Sequence, residues 1–266
     1  MDLLLLLLLL HGLLLLPLAA LLLYRCSPSF QFLCKVAFFN CWIVALATLL
    51  SPLAALRGRS VENMRLLRAA LLPLKRFYGI RMQVRGSELL RLPGPFVIVC
   101  NHQASLDLMG MVEVIPERCV PIAKRELLYL GTVGWACWLS GIIFIDRYRR
   151  DAAIKVIART ASAMRHENVP IVPIVISPYW EFFSPKEKRF TSGTCTIRVL
   201  PRVETWGLSP KDVPKLTESV HQAMAEALAE MSMSDHGDQD MEQPLLGPGE
   251  DRGSPQGQGD TARSRK

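Results

Sequence analysis

The chain has 266 residues, half of them hydrophobic, a formal net charge of +7 and a positive mean hydropathy of +0.22. That length holds one large domain or two small ones, and the hydropathy is high for a purely soluble protein. Its seven cysteines are scattered with no Cys-x-x-Cys pair, which argues against a disulfide scaffold or a thiolate zinc site and for reduced core cysteines.

The apolar excess lies at the front. Residues 3–23 are almost all Leu and Ala, interrupted by His11, Gly12 and Pro17, and residues 36–56 form a second stretch with Asn40 its only strongly polar side chain. About 20 apolar residues cross the hydrocarbon core, so both stretches qualify on length. A cleaved signal peptide would show a basic n-region before a shorter run, and none precedes residue 3. For the second stretch, an interfacial hairpin half interrupted by Pro52 stands open beside a full crossing. Arg57, Arg59, Arg65, Arg68, Lys75, Arg76 and Arg81 follow directly. Positive residues beside a span favour the cytoplasmic side, with the basic neck against anionic headgroups. Nucleic acid is a poor partner for this charge, which trails a membrane segment and comes with no recognition motif. The expected organisation is a membrane-embedded part over 1–56, a basic amphipathic neck over 57–80 kinked at Pro73, a folded domain over 81–231, and a disordered tail over 232–266.

Within the domain, strands alternate with helices. Residues 81–85, 96–100, 119–123, 141–146 and 194–200 read as strands, and helical spacing follows Ser105, a candidate N-cap, and fills 151–168. The fold class this implies is α/β, a mixed sheet flanked by helices. Residues 169–176 form a strand that follows the preceding helix with essentially no loop. Pro170 and Pro173 cannot donate to a ladder, so this strand is expected at an edge or bulged. Ser209-Pro210 caps a last amphipathic helix over 211–231.

The chemistry collects at strand ends. After the apolar run 96–100 the polarity switches abruptly to Asn101, His102 and Gln103. A His at that place is where an α/β enzyme presents a base. Asp107, across the strand-to-helix turn, can hold one ring nitrogen and leave the other free to take a proton. The bland alternative is a His satisfied in a surface turn, although no other histidine has an Asp five residues on. Lys124, Arg125 and Glu126 follow the next strand, and Asp146, Arg147, Arg149 and Arg150 the one after. Taken singly these are a solvated helix start and a basic turn on a membrane. Together they fit one anion site, since ligands of open α/β sheets bind beyond the carboxyl ends of strands and Arg suits bidentate phosphate contact. A base beside such a cluster at a membrane points to transfer to, or from, a hydroxyl of a phosphorylated lipid. No Gly-x-Ser-x-Gly elbow, catalytic Cys context or Walker loop is present, and His102 has no second ligand at metal spacing. The expectation is direct transfer with no covalent enzyme intermediate, no metal and no cofactor.

These residues resemble known blocks. Asn101-His102-Gln103-Ala104-Ser105-Leu106-Asp107 resembles the His-x4-Asp block of the glycerolipid acyltransferases, residues 141–147 their second block and 169–175 their fourth. Val61-Glu62-Asn63-Met64, residues 124–127 and Phe190-Thr191-Ser192-Gly193 add further matches, so the likeness spans roughly 26–231 and points to the 1-acylglycerol-3-phosphate acyltransferases. The resemblance implies an endoplasmic-reticulum membrane enzyme of phospholipid and triacylglycerol synthesis, its domain facing the cytosol. Acyl-coenzyme A as co-substrate would acylate the second hydroxyl of lysophosphatidic acid, giving phosphatidic acid. It also implies His102 as base, Asp107 as its partner, Arg147 as a phosphate ligand, and association with other lipid-synthesis enzymes; Asn101, Lys124 and Arg125 join Arg147 as substrate-binding candidates by their place at strand ends. One departure stands out. The family's third block, Phe-Pro-Glu-Gly-Thr-Arg with the loop and helix after it, belongs between 168 and 169 and is absent, as in a shortened isoform or an incomplete gene model. Its loss removes one βα unit and is expected to leave open strand edges and to impair transfer. A thioesterase or lipid hydrolase, and a catalytically inactive membrane partner protein, are the alternatives.

Overall fold

Two apolar helices open the chain, α1 over Leu3–Cys26 and α2 over Pro28–Arg57. The computed structural model describes residues 3–91, 93–146, 148–149 and 169–241. Ser27 divides the helices: its hydroxyl accepts from the Phe30 amide at 3.3 Å, and Pro28 takes the first helical position, where no donor is forfeited. Among the described residues α2 is the helix long and apolar enough to cross a membrane. Its packing nevertheless ties it lengthwise to the domain. Phe32, Val36, Phe39 and Trp42 pack on the main core, and the stripe continues through the buried Ala47, Ser51 and Ala54. Polar bonds pin it along the way. Lys35 donates to the Phe190 carbonyl, the Tyr78 hydroxyl to the Lys35 carbonyl at 2.8 Å, and the Trp42 indole to the Ala70 carbonyl at 3.0 Å. A helix bound in this way lies against the domain along one stripe. Leu33, Val44, Leu49 and Leu53 point away from the domain and are exposed.

The neck is built into the domain. A short 3-10 turn, Val61–Asn63, leads into α3 (Met64–Leu71), which stops before Pro73; α4 (Leu74–Phe77) resumes beyond it. Leu74 and Tyr78 belong to the main core. Arg68 donates to the carbonyls of Glu113 (3.0 Å) and Ile115 (2.5 Å), and Lys75 pairs with the Glu113 carboxylate. All three acceptors lie at the C-terminal end of α5, Asp107–Val114, where cations are favoured.

The strands are β1 (Ile80–Arg85), β2 (Val97–Cys100), β3 (Ile122–Lys124), β4 (Ile143–Ile145), β5 (Ile171–Ile176), β6 (Phe183–Ser184), β7 (Arg189–Phe190) and β8 (Gly193–Val199). The main sheet runs β1-β8-β5-β2: β1 is parallel to β8, β8 antiparallel to β5, and β5 parallel to β2. It is mixed, as expected. The place of β5 corrects the sequence reading, because the strand carrying Pro173 is central. The Leu200 amide donates to the Pro173 carbonyl at 2.9 Å, so the backbone of Pro173 faces the end of β8, where its missing donor forgoes one reciprocal bond to Leu200 and none to β2. Pro170 lies before the strand. Val172, Ile174, Val175, Ile176 and Ile197 are almost wholly buried and form the centre of the core. The remaining helices among the described residues are α6 (Gly131–Leu139) and α7 (Val213–Met241). α7 lays Met224, Ala227, Leu228 and Met231 over Val175 and Leu200. It begins on the Ser209–Asp212 capping box and runs to Met241, beyond the expected end at 231. The helix expected over 151–168, and the tail from 242 onward, lie outside the described residues.

The sheet is divided. β3 and β4 pair in parallel as a separate two-stranded sheet, and among the described residues β2 pairs with β5 alone. Ile98 on β2 and Phe144 on β4 share one apolar cluster with Ile142 and Met64, so the two sheets are neighbours without a ladder between them.

Candidate active site

The site is assembled at the C-terminal ends of β2 and β5. Asn101 extends the ladder beyond Cys100 with its side chain: its amide nitrogen donates to the Ile176 carbonyl at 2.9 Å and its amide oxygen accepts from the Ile176 amide at 2.8 Å. Gln103 laces the same junction, donating to the carbonyls of Ile176 and Ser177 at 3.2 and 3.1 Å. The loop then closes through three tight turns, Asp107 N to Ala104 O, Leu108 N to Ser105 O and Met109 N to Leu106 O. α5 begins at Asp107 with Leu106 in the cap position and no side-chain cap. Ser105 is therefore not the N-cap expected, because the amides of Asp107 and Leu108, which its hydroxyl would cap, are taken by the carbonyls of Ala104 and Ser105.

That carboxylate is the hub. Oδ2 accepts from His102 Nδ1 at 2.6 Å, from the Gln103 amide at 2.6 Å and from the Ala104 amide at 3.1 Å, while Oδ1 accepts from the Tyr179 hydroxyl at 2.6 Å. Asp107 is 5% exposed, and a buried carboxylate needs such a set of donors to remain charged. With Nδ1–H given to Asp107, the other ring nitrogen, Nε2, is left as an acceptor, and the imidazole side chain is 74% exposed. A buried anion that fixes the tautomer of an open imidazole is the geometry of a general base.

Sequence reasoning did not single out Gln103 or Tyr179. The signal for Tyr179 is its hydroxyl two residues past Ser177, at the end of the strand beside β2. Burial first, then its hydrogen bond to Asp107 and the charge there, hold the phenol above its ordinary range, so it stays a donor. Tyr179→Phe would leave Asp107 Oδ1 without this partner. It is expected to lower unfolding free energy by about 1–3 kcal/mol, read by denaturant titration in detergent micelles.

Cys100, next to the loop, is no nucleophile. Burial first, then the charge of Asp107 and the presence of Cys195, push its thiol up to about 12 from an ordinary 9.0. The folded chain therefore keeps this proton where the unfolded chain releases it. The stability it contributes is present below pH 9 and is lost as pH rises toward about 12. At pH 8, iodoacetamide is expected to label Cys100 only after denaturation, as read by peptide mass mapping.

The second cluster forms at the ends of β3 and β4. Arg125 Nη1 stands 3.7 Å from Asp146 Oδ2, and an open cleft is lined by Arg125, Glu126, Tyr129, Asp146, Tyr148 and Arg149. Asp146 Oδ1 accepts from the amides of Tyr148 (3.1 Å) and Arg149 (3.3 Å), which turns the chain back over the strand end. Lys124 ends β3 and is exposed. The structure thus joins two of the three strand-end sets, those of Arg125 and Asp146. Arg147 and Arg150 lie outside the described residues. Among the described residues no group of His, Cys, Asp and Glu is arranged to hold a metal ion.

Comparison with known proteins places the chain in a family. Residues 81–177, from β1 to the end of β5, match the family model named Acyltransferase. The chain is 47% identical over 247 residues to human 1-acyl-sn-glycerol-3-phosphate acyltransferase alpha, covering 81% of this chain and 87% of that protein. The chain belongs to the 1-acyl-sn-glycerol-3-phosphate acyltransferase family. To the human beta relative it is 40% identical over 238 residues, covering 77% of this chain and 86% of that one. The crystal structure of the acyltransferase PlsC from Thermotoga maritima superposes with a TM-score of 0.55 at 17% identity, covering 74% of this chain and 95% of that one, a likeness of fold. In the alpha alignment, 81% of 266 residues is fewer than the 247 spanned, so the relative carries residues within the span that this acyltransferase lacks. An internal loss of that kind is what the absent third block implies.

Proposed function

We propose that the chain transfers a fatty acyl group from acyl-coenzyme A to the sn-2 hydroxyl of lysophosphatidic acid, giving phosphatidic acid, at the endoplasmic-reticulum membrane with its domain on the cytosolic side. The observation that carries this reading is the 2.6 Å bond from His102 Nδ1 to a buried Asp107 at an open strand end. Nε2 takes the hydroxyl proton as the oxygen attacks the thioester carbonyl, and Asp107 stabilises the imidazolium that forms. As the tetrahedral intermediate collapses, the carbon–sulfur bond breaks and the imidazolium returns the proton to the departing coenzyme A thiolate. No covalent enzyme intermediate is needed, and the protonated Cys100 offers no competing nucleophile.

Lys124 and Arg125, with Arg149 on the same cleft and Arg147 beside it in sequence, supply cations for the lipid phosphate. Asn101 has both ends of its amide engaged by Ile176, so we assign it to positioning the strand end that carries His102. Without the third block the phosphate site is incomplete and turnover is reduced. The test is coenzyme A release by the purified, detergent-solubilised chain. Release that requires lysophosphatidic acid supports transfer. Release from acyl-coenzyme A alone marks a thioesterase and overturns the reading, and release in neither case marks a non-catalytic chain.

A further inference from the structure

α6 has no part in either cluster, yet its composition is unusual for a domain surface. From Leu127 to Ile145 the chain carries no charged side chain. One side of α6 is packed: Ala136 and Leu139 are buried, Thr132 Oγ1 lies 2.9 Å from Thr48 Oγ1 of α2, and Asn63 donates to the Leu139 carbonyl at 2.9 Å. The other side presents Trp135 and Trp138, 45% and 41% exposed, next to Tyr129 at 69% and Leu130 at 56%. So many large apolar side chains in one exposed strip mark a contact surface.

We propose that α6 is an in-plane membrane anchor, its outer face together with Tyr129 and Leu130 seated in the headgroup–acyl boundary of an anionic phospholipid bilayer. Three observations select lipid as the occupant. The helix against which α6 packs, α2, carries an exposed apolar row of its own in Leu49, Leu53 and Leu56. The Arg59 guanidinium stands 5.5 Å over the Trp138 ring, a cation at the level of an aromatic rim. Arg57 lies beside it in sequence, so the margin of the apolar face is positive, as anionic headgroups require. One consequence rests on the function proposed above: the cleft of Arg125, Tyr129 and Arg149 opens immediately before α6, at headgroup depth, so a lipid phosphate reaches it without leaving the membrane plane.

The test uses full-length chains in phosphatidylcholine–phosphatidylserine vesicles with brominated acyl chains. One chain keeps Trp138 as its single tryptophan and another keeps Trp206, the rest replaced by Phe. Trp138 is expected to be quenched about threefold more strongly than Trp206, as an interfacial tryptophan against an exposed one outside α6. The single change Trp138→Phe in the otherwise intact chain should lower total quenching, which guards against misfolding of the multiple variants. Equal quenching of the two, or Trp138 open to aqueous iodide, overturns the proposal. Trp138 shielded from bromine and iodide alike also overturns it and points to a protein on this face. Neither acyl donor nor acceptor is present, so failure of the transferase reading leaves the result standing.

Discussion

His102→Ala removes acyl transfer. Turnover on lysophosphatidic acid and acyl-coenzyme A is expected to fall by about 10²–10⁴-fold, the range of a positioned general base, with little change in KM. The expected split follows from the geometry. His102 bonds Asp107 and projects an open imidazole, while the cations suited to phosphate sit on another sheet, at the ends of β3 and β4. Losing the ring therefore removes proton transfer and leaves phosphate binding in place. The fold should survive, because Asp107 keeps its two loop amides and the Tyr179 hydroxyl. Steady-state kinetics in mixed micelles decide the matter. A variant with unchanged kcat would remove His102 from the reaction, and one with raised KM alone would make it a binding residue.

The dyad was legible in the sequence because its parts are local. An apolar run ending in His, with Asp five residues on, needs only one strand-to-helix turn to bring the two together. What orients the pair was not legible, because it arrives from far along the chain. Tyr179 reaches Asp107 only because β5 lies beside β2, and Asn101 and Gln103 seal that same junction. The prolines of the 169–176 strand misled for a related reason. A missing donor forces a strand to the edge only where the ladder cannot spare the bond, and Pro173 turns its nitrogen toward Leu200 at the end of β8, where one reciprocal bond is forgone. The apolar helices show the limit of composition most clearly. Length and hydropathy qualify α2 as a span, but only its packing, from Phe32 to Ala54, shows that the domain lies along it.

Restoring the third block between residues 168 and 169 raises turnover by about 10²–10⁴-fold. The magnitude follows from two charge-assisted contacts to the glycerol phosphate, an Arg and a Glu, at about 1.5–3 kcal/mol each. The structure also gives the inserted segment somewhere to go. β2 has one partner among the described residues, β3 and β4 form an isolated pair, and Ile98 and Phe144 already bring the two sheets into apolar contact. A strand delivered just before β5 meets open ladder edges on both neighbours, where pairing would satisfy backbone donors and acceptors now turned outward. Unfolding free energy should therefore rise together with turnover. The restored chain carrying His102→Ala supplies the control, since it should gain the stability and none of the activity. If the chain without the block and the restored chain turn over equally, the phosphate is held by Lys124, Arg125 and the arginines after Asp146 alone, and the lost segment has no part in the chemistry.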